Sequence, residues 1–162
     1  MTDQTPSKAV VLLSGGQDST TCLAWALNRF EEVSAVGFDY GQRHAVELES
    51  AREVAAAAGV DFTLVRVPGL GGSSLTDHDQ EVAATGGHLD LPTTFTPGRN
   101  AVFLSLAAGL AVQKGATNLV TGICQTDYSG YPDCRDDFRY AMQAALALAV
   151  GVPMEIHAPL MH

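Results

Sequence analysis

Six consecutive residues near the start of the chain combine small side chains, hydroxyls and one carboxylate: Ser14-Gly15-Gly16-Gln17-Asp18-Ser19. They follow the apolar run 9–13, which is typical of a strand buried on both faces. Two adjacent glycines let the backbone approach an anion closely, and amides at a helix start donate hydrogen bonds to it. The serines add hydroxyl donors, and Asp18 can cap the helix or reach a Mg²⁺ ion held on phosphates. The segment predicts a phosphate-binding turn.

Two common phosphate-binding motifs do not fit this turn. A Walker loop needs Gly-Lys-Ser/Thr, and no lysine lies here. A dinucleotide fingerprint needs GxGxxG, which is absent. The remaining alternative is an ordinary strand-to-helix turn built from small residues, which the complete pattern after a buried strand disfavours.

Three further clusters of polar and glycine residues each follow a predicted strand. They are 39–44 (DYGQRH), 97–100 (PGRN) and 125–135 (QTDYSGYPDCR). Ligands of open α/β sheets bind outside the carboxyl ends of the strands. The four clusters therefore predict one site at one edge of a sheet, whereas the connections at the opposite edge, around Glu31 and Gly115, are short.

Two arginines in these clusters are the candidate catalytic cations. Arg43 and Arg99 each follow a strand end, and arginine bridges phosphate oxygens with two parallel hydrogen bonds. A cation at a helix start opposes the helix dipole, which favours a functional role for Arg99 over a surface ion pair. His44 is a candidate acid or base near neutral pH, with an ordinary surface histidine as the alternative. Asp18 completes the candidate catalytic set.

Aromatic, amide and carboxylate side chains of the clusters are the candidate substrate-binding residues. Tyr128 and Tyr131 can stack on a flat heterocycle. Asp127 and Asp133 can accept hydrogen bonds from its edge or hold magnesium, although loop aspartates are commonly turn residues. The full candidate set is Tyr40, Gln42, Asn100, Gln125, Asp127, Tyr128, Tyr131 and Asp133.

Strands alternate with helices along the chain. Apolar runs predict strands over 9–13, 33–38, 62–67, 118–123 and 154–158. Helical spacing predicts helices over 19–29, 45–58, 100–114 and about 136–150. Asn100 and either Asp136 or Asp137 are the expected caps of the last two helices, and Gly151 ends the fourth. We expect an α/β fold with a doubly wound, Rossmann-like parallel sheet of five strands in the order 3-2-1-4-5.

A long irregular stretch, 68–98, is rich in glycine and proline. Loops of this length inside a compact domain are commonly functional lids or disordered segments. The chain length suits one well-buried core, so we expect a single domain over 1–162 that contains this stretch as a loop or lid.

Composition restricts the partners. The 162-residue chain has a formal net charge of −9, which does not attract a nucleic-acid backbone. No apolar run is long enough to span a bilayer, and residues 1–8 lack the apolar core of an export signal. We therefore expect small-molecule partners, neither nucleic acid nor membrane, and a cytoplasmic location. Cys22, Cys124 and Cys134 form no CxxC pair, which disfavours a disulfide framework and a zinc site built from these three alone.

The first cluster resembles the SGGxDS pyrophosphate loop of the N-type ATP pyrophosphatases. That superfamily includes GMP synthetase, NAD synthetase, asparagine synthetase and tRNA thiolation enzymes. The clusters 38–44, 97–100 and 124–135, in this order, resemble those of the 7-cyano-7-deazaguanine synthase family of queuosine biosynthesis. The resemblance covers essentially the whole chain.

The resemblance implies an adenine nucleotide alpha hydrolase-like fold and an ATP-dependent carbon–nitrogen ligase. Such an enzyme converts 7-carboxy-7-deazaguanine and ammonia into the nitrile 7-cyano-7-deazaguanine (preQ0) through adenylated intermediates. ATP, together with Mg²⁺, would then bind Leu13, Ser14, Gly15, Gly16, Gln17, Asp18, Ser19, Thr20 and Thr21. Two alternatives stay open: an ATP-pyrophosphatase ligase acting on another carboxylate, and a nucleotide-binding module that is catalytically incomplete.

The resemblance carries one departure. The family ends in a cysteine cluster that binds a structural zinc ion, whereas residues 158–162 resemble a segment from the middle of the domain. We therefore expect the zinc ligands to lie beyond residue 162, a domain shortened at its C-terminus, and no metal site formed by this chain's own residues. An uncovered apolar edge would favour a homodimer.

Overall fold

The computed structural model describes residues 7–42, 45–71, 73, 75–77, 79, 81–87, 90–125 and 130–162. Five strands are formed: β1 (Lys8–Leu12), β2 (Glu32–Asp39), β3 (Asp61–Arg66), β4 (Asn118–Val120) and β5 (Glu155–His157). Four α-helices accompany them: α1 (Gln17–Leu27), α2 (Ala45–Ala58), α3 (Arg99–Gln113) and α4 (Asp136–Val150). A 3-10 turn, Pro132–Cys134, precedes α4.

The five strands form one parallel sheet in the order β3-β2-β1-β4-β5. The order reverses next to β1, whose Val10 pairs with Ser34 of β2 on one side and with Leu119 of β4 on the other. A crevice opens at the carboxyl ends of the strands where such a reversal occurs. The predicted fold class and strand order are confirmed.

Helices cover both faces of the sheet. Alternate residues of β1 point to opposite faces, so Val10 packs with the α3 side chains Leu104 and Ala108. Its neighbours Ala9 and Val11 belong to the core on the other face, with side chains of α1 and α2. The sheet is therefore doubly wound, with α1 and α2 on one face and α3 and α4 on the other.

The starts of three helices differ from the sequence-based expectation. Asp18 does not cap α1, because the helix begins earlier and its N-cap is Gly16. Asn100 does not cap α3, because the helix already begins at Arg99. Its N-cap is Gly98, which has the left-handed conformation (φ 75°). The N-cap of α4 is Arg135 rather than Asp136 or Asp137. Side-chain type alone predicts which residues can cap a helix, whereas the backbone direction of the incoming loop sets the residue at which each helix begins.

The helix and strand ends show smaller differences. The fourth helix ends at Gly151 (φ 72°), whose amide donates to the carbonyl of Ala147, as predicted. The first helix ends at Leu27, two residues earlier than expected, and β4 ends at Val120 rather than residue 123. The four residues that leave the sheet after β4, 121–124, all line the cavity described below.

The segment 68–98 contains no long regular element among its described residues, but part of it is firmly docked. The hydroxyls of Ser73 and Thr96 share a hydrogen bond of 2.7 Å, and both residues are almost completely buried. The Thr93 hydroxyl donates to the carbonyl of Glu81 at 2.9 Å and accepts from the amide of Ala83 at 2.8 Å. The side chains of residues 81–86 are nevertheless exposed, although the backbone of Glu81 and Ala83 is bonded to Thr93. The segment thus has an anchored base and an exposed tip.

The residues after β5 fold back onto the domain. Met161 is buried against Ile123 and Cys134, and its amide donates to the carbonyl of Ala158. Leu160 packs against the core formed with α1 and α2. Leu160 and Met161 thus pack onto the domain after β5, and the expectation of a domain shortened at its C-terminus stays a prediction. Within the described part of the chain, no helix has the length and apolar character required to cross a bilayer.

Candidate active site

A cavity of about 610 Å³ opens at the carboxyl edge of the sheet, where β1, β2 and β4 end and α3 begins. Residues from all four predicted clusters contribute to its walls. The predicted site residues that line it are Leu13, Ser14, Asp18, Ser19, Tyr40, Gln42, Arg99, Asn100 and Tyr131. The sequence predicted that the four clusters meet at the carboxyl ends of the strands, and their described residues do meet there.

The turn between β1 and α1 is organised by its own hydroxyls. The Ser19 hydroxyl donates to the carbonyl of Gly16 (3.0 Å) and accepts from the amide of Ser14 (3.2 Å). The hydroxyls of Ser14 and Ser19 share a further hydrogen bond of 3.1 Å. No side chain caps α1 at its N-cap residue, which leaves the amides of its first turn available to an anion. The turn therefore presents backbone donors toward the cavity edge.

The remaining predicted ATP-binding residues lie further along α1. The hydroxyls of Thr20 and Thr21 donate back to the carbonyls of Gly16 and Gln17, at 2.9 and 3.0 Å. Back-bonding of this kind satisfies the hydroxyl within its own helix. Neither threonine lines the cavity, and Gln17 is exposed beside them.

The two glycines of the turn serve different purposes. A Cβ atom at Gly16 would meet only the Ser14 hydroxyl, at 3.6 Å, so this position is open toward a ligand. A Cβ atom at Gly15 would lie 2.2 Å from the carbonyl oxygen of Glu47 and 2.7 Å from the amide of Ala51. Gly15 also has φ +89°, and its carbonyl accepts from the Ser50 hydroxyl at 3.0 Å. Gly15 is thus required for contact with the α2 backbone, whereas Gly16 remains free to approach a phosphate.

A third glycine at this edge was not identified from the sequence. Gly122 follows β4, and a Cβ atom there would lie 3.3 Å from the amide of Ser19 and 3.4 Å from the Cβ of Asp18. The loop after β4 therefore passes close against the start of α1. From the sequence, Gly122 lies inside the predicted strand 118–123, and a glycine within a strand is the only signal available there.

The charged residues lining the described part of the cavity are Asp18, Glu47 and Arg99. Arg99 is the first residue of α3, and its Nη1 donates to the Tyr40 hydroxyl at 3.4 Å. Arg99 is the only cationic residue among the described residues that line the cavity, and this contact directs its guanidinium toward the end of β2. A guanidinium held in this way is suited to bridge phosphate oxygens.

An aromatic wall that the sequence did not reveal forms one side of the cavity. The rings of Phe38 and Phe103 stack with centroids 4.3 Å apart and planes within 5° of parallel. The Tyr40 ring lies 5.3 Å from that of Phe103. Phe103 belongs to the apolar helix α3, where spacing alone predicts only core packing. The wall offers a stacking surface for a flat ring.

Two predicted substrate-binding side chains are engaged with nearby backbone. The Gln42 side chain donates to the carbonyl of Phe38 (3.2 Å) and accepts from the amide of Tyr40 (3.0 Å), which holds the turn after β2. Gln125 is exposed outside the cavity lining, and its side-chain oxygen accepts from the amide of Asp136 at 3.4 Å. Both amides organise loops at the site edge.

Tyr131 connects the loop after β4 with the base of the segment 68–98. Its hydroxyl shares a hydrogen bond with that of Thr94, and its ring lies 5.1 Å from that of Phe95. Tyr131 also lines the cavity. Four further predicted site residues, Arg43, His44, Asp127 and Tyr128, lie outside the described residues.

Asn100 and Asp133 contact each other where α3 begins. The Asp133 Oδ2 accepts from the backbone amide of Asn100, and the Asn100 side chain donates to the Asp133 carbonyl, both at 3.1 Å. Asp133 is buried, with 7 % of its surface exposed. Asn100 lines the cavity, while Asp133 lies behind it.

The cysteines do not gather into a metal-binding cluster. Cys22 is buried in α1, where its thiol donates to the carbonyl of Thr121, and burial raises its pKa to about 11, with the charge of Asp18 adding to the increase. Cys124 and Cys134 both line the cavity. Among the residues that the structure describes, no three His, Cys, Asp or Glu side chains are grouped to hold a metal ion.

Sequence comparisons relate nearly the whole chain to one family. Residues 8–162 match the family described as "Queuosine biosynthesis protein QueC". A 7-cyano-7-deazaguanine synthase of Laribacter hongkongensis (strain HLHK9) is 53 % identical over 161 residues, covering 96 % of this chain and 70 % of that protein. A protein of the same name from Bacillus subtilis (strain 168) is 50 % identical over 159 residues, covering 95 % of this chain and 71 % of its own length.

Solved structures share the fold at low sequence identity. The U34-tRNA thiolase NcsA from Methanococcus maripaludis matches with a TM-score of 0.57 and 16 % identity, over 95 % of this chain and 52 % of its own. A 4-thiouridine synthetase in complex with RNA and ATP matches with a TM-score of 0.51 and 20 % identity, over 96 % of this chain and 37 % of its own. At these identities the likeness shows the fold alone.

Proposed function

The chain belongs to the QueC family of queuosine biosynthesis proteins, and on this premise we propose that it is an ATP-dependent carbon–nitrogen ligase. Its substrates are 7-carboxy-7-deazaguanine and ammonia, and its product is 7-cyano-7-deazaguanine. The observation that carries the proposal is the convergence of the Ser14–Ser19 turn, Arg99 and an aromatic wall on one cavity. The reaction would take place in the cytoplasm, with small molecules as the partners.

The chemistry requires two activations of one carbon atom. Ammonia does not displace hydroxide from a carboxylate, so the carboxylate first attacks the α-phosphorus of ATP and pyrophosphate leaves. Ammonia then displaces AMP to give the amide. The amide oxygen attacks a second ATP, pyrophosphate leaves again, and loss of AMP with two protons gives the nitrile. Negative charge develops near the α-phosphate in both adenylation steps. The main contributions required of the protein are therefore positioning and electrostatic stabilisation.

The turn after β1 is the proposed phosphate site. Gly16 leaves room for a phosphate, and the uncapped start of α1 supplies backbone donors. The hydroxyls of Ser14 and Ser19 stand at the cavity wall beside these donors. Arg99, oriented by Tyr40, is the proposed cation for the activated intermediate.

The aromatic wall is the proposed contact for a flat ring. Phe103 and Tyr40 present ring surface at the cavity, and Phe38 supports Phe103 from behind by stacking. A deazapurine or an adenine ring gains stacking and apolar burial there. Asn100 and Tyr131 also line the cavity and provide polar atoms there.

The donor set fits Mg²⁺ bound with ATP. Asp18 lines the cavity beside the phosphate turn, and Mg²⁺ is commonly held by one or two carboxylates together with substrate phosphates. Mg²⁺ would neutralise charge on the phosphates there. Among the described residues, no three His, Cys, Asp or Glu side chains are grouped to hold a zinc ion.

The test is an assay of the purified protein with ATP, Mg²⁺, ammonium and 7-carboxy-7-deazaguanine, with pyrophosphate and nitrile measured separately. We expect pyrophosphate release that depends on the carboxylate, and two pyrophosphates for each nitrile formed. Release with another carboxylate only would indicate a different ligase of the superfamily. ATP binding by calorimetry without any pyrophosphate release would instead indicate a nucleotide-binding module.

A further inference from the structure

The start of α3 lacks the cap that its own sequence would normally supply. An N-cap side chain usually accepts a hydrogen bond from the second or third amide of the helix. The N-cap of α3 is Gly98, which has no side chain and lies in the left-handed region at φ 75°. The amide of Arg99 donates to the carbonyl of Thr96, at 3.2 Å. The amide of Asn100, the second of the helix, therefore needs an acceptor from elsewhere.

That acceptor comes from a segment 33 residues away. The Oδ2 of Asp133 accepts from the amide of Asn100 at 3.1 Å. The Asn100 side chain returns two contacts, to the carbonyl of Asp133 at 3.1 Å and to the Sγ of Cys134 at 3.5 Å. The pair thus forms a reciprocal clamp, in which each segment satisfies polar groups of the other.

The charge of Asp133 suits this place for a second reason. The positive end of the helix dipole lies at the start of α3, and the Arg99 guanidinium adds a cation there. A buried carboxylate at the same helix start offsets both. Asp133 is 7 % exposed, and its Oδ1 has no hydrogen-bond partner in the described part of the chain. The contact to α3 therefore uses one carboxylate oxygen of Asp133, Oδ2, while Oδ1 makes no hydrogen bond to a described residue.

We propose that Asp133 is a positioning residue that caps α3 from the loop after β4 and thereby sets the place of Arg99 at the cavity. This inference rests on the proposed function, since it assigns a role in catalysis through Arg99. The clamp adjoins the cavity: Asn100 and Cys134, the residue after Asp133, line it together with Arg99 and Tyr131. The clamp joins the loop that carries Tyr131 to the helix that carries the cation.

The first test is structural and independent of activity. Asp133→Ala removes the acceptor, and we expect amide hydrogen exchange in the first turn of α3 to become roughly fivefold faster, as for loss of a helix cap. Asp133→Asn keeps an acceptor oxygen, and we expect exchange within about twofold of the parent protein. Asp137→Ala, an exposed aspartate in the first turn of α4, is the matched control and should leave α3 unchanged. Unchanged exchange in α3 of Asp133→Ala would overturn the capping role.

The second test asks whether Asp133 acts through Arg99. Asp133→Ala should lower kcat roughly ten- to a hundredfold with a small change in the KM for ATP, because a displaced cation costs turnover more than binding. Asp133→Asn should restore most of this loss. In an Arg99→Lys background, the same Asp133→Ala change should lower kcat by no more than about twofold. An equal loss in both backgrounds would show that Asp133 acts independently of Arg99.

A second variant covers the case that Asp133→Ala does not fold, as judged by circular dichroism. Asp133→Ser keeps a polar side chain but is one atom too short to reach the amide of Asn100, and the outcomes expected for alanine apply to it. If the parent protein shows no turnover with the deazaguanine carboxylate, the proposed function fails. The hydrogen-exchange comparison still decides the cap in that case.

Discussion

The Nη1 atom of Arg99 lies 3.4 Å from the Tyr40 hydroxyl, although the two residues are 59 positions apart in the chain. Tyr40 follows β2, and Arg99 begins α3 on the other side of the reversal in strand order. The contact therefore crosses the crevice that the topology creates. It places a permanent cation beside the aromatic wall formed by Tyr40, Phe38 and Phe103.

Replacing Arg99 by lysine tests whether this cation serves the reaction rather than the fold. Lysine keeps the charge but lacks the planar fork that binds two phosphate oxygens. We expect turnover to fall roughly a hundredfold, as for loss of an electrostatic contact to the reacting group, with little change in the melting temperature. Steady-state kinetics and thermal unfolding of the same preparation give both quantities.

Arg66→Lys is the control for this substitution. Arg66 ends β3 and is largely exposed, with its Nε 3.8 Å from the Asp39 carboxylate. An exposed ion pair of this kind contributes little, so turnover and melting should stay unchanged. A large drop in the melting temperature of Arg99→Lys, with normal turnover per folded molecule, would assign Arg99 to the fold instead.

The adjacent glycines of the phosphate turn should respond differently to alanine. Gly16→Ala meets only an ordinary contact with Ser14, so we expect a normal melting temperature but an ATP affinity weakened roughly tenfold or more, because the Cβ occupies phosphate space. Gly15→Ala forces a Cβ into the α2 backbone at a positive φ, and should destabilise the fold by about 2 kcal/mol or more. Calorimetry with ATP and denaturant unfolding separate the two effects. Unaltered ATP affinity of Gly16→Ala would place the nucleotide elsewhere.

Limited proteolysis tests whether the exposed tip of the segment 68–98 covers bound substrate. Glu81 lies in the exposed stretch 81–86, whereas Thr93, Phe95 and Thr96 at its base are buried. A glutamate-specific protease should therefore cut first after Glu81. We expect ATP plus the carboxylate to slow this cut, because a closed lid protects an adenylate from water.

Glu31 provides the internal control for the proteolysis experiment. It is exposed at the opposite edge of the sheet, between α1 and β2. Its slower cleavage should not change with ligands. Equal protection of Glu31 and Glu81 would indicate general stabilisation, and no protection of Glu81 would rule out closure of this tip.

His157 should make the stability of the protein depend on pH. Its ring packs 5.5 Å from those of Trp25 and Phe30, and its Nε2 lies 3.0 Å from the Asn118 Oδ1. Burial lowers the pKa of His157; the charges of Arg139 and Arg29 lower it further, and Glu155 opposes them. The folded protein therefore favours neutral His157, while the unfolded chain takes up the proton near the ordinary value of about 6.5.

The stabilising contribution of neutral His157 to the free energy of unfolding is therefore fully present above a pH of about 6.5. It is lost as the pH falls from there toward the lowered pKa of the folded state. His157→Gln retains an amide that can bond Asn118 but does not titrate. We expect its free energy of unfolding to depend less steeply on pH in this window than that of the parent protein. Identical slopes for His157→Gln and the parent would show that His157 titrates normally in the folded state.

The fold and the location of the site were accessible from local sequence patterns. Apolar runs alternating with helical segments require a parallel sheet with crossovers, and ligands of such a sheet lie at the carboxyl ends of its strands. The turn at residues 14–19 and Arg99 could therefore be assigned to one site without coordinates. Strand boundaries were less accurate, because β4 has only three ladder residues, Asn118–Val120, before the chain turns into the cavity wall.

Three features of the site depended on tertiary contacts. Gly15 faces the α2 backbone, Phe103 forms the aromatic wall with Phe38 and Tyr40, and Asp133 accepts from the amide of Asn100, 33 residues earlier. Each relationship joins segments that are far apart in the chain, so neither residue type nor spacing in one segment indicates its partner. Sequence determined which segments converge on the candidate site, because periodicity and turn composition are local properties. Only the packing of helices against the sheet decided which of those residues line the cavity and which hold another segment in place.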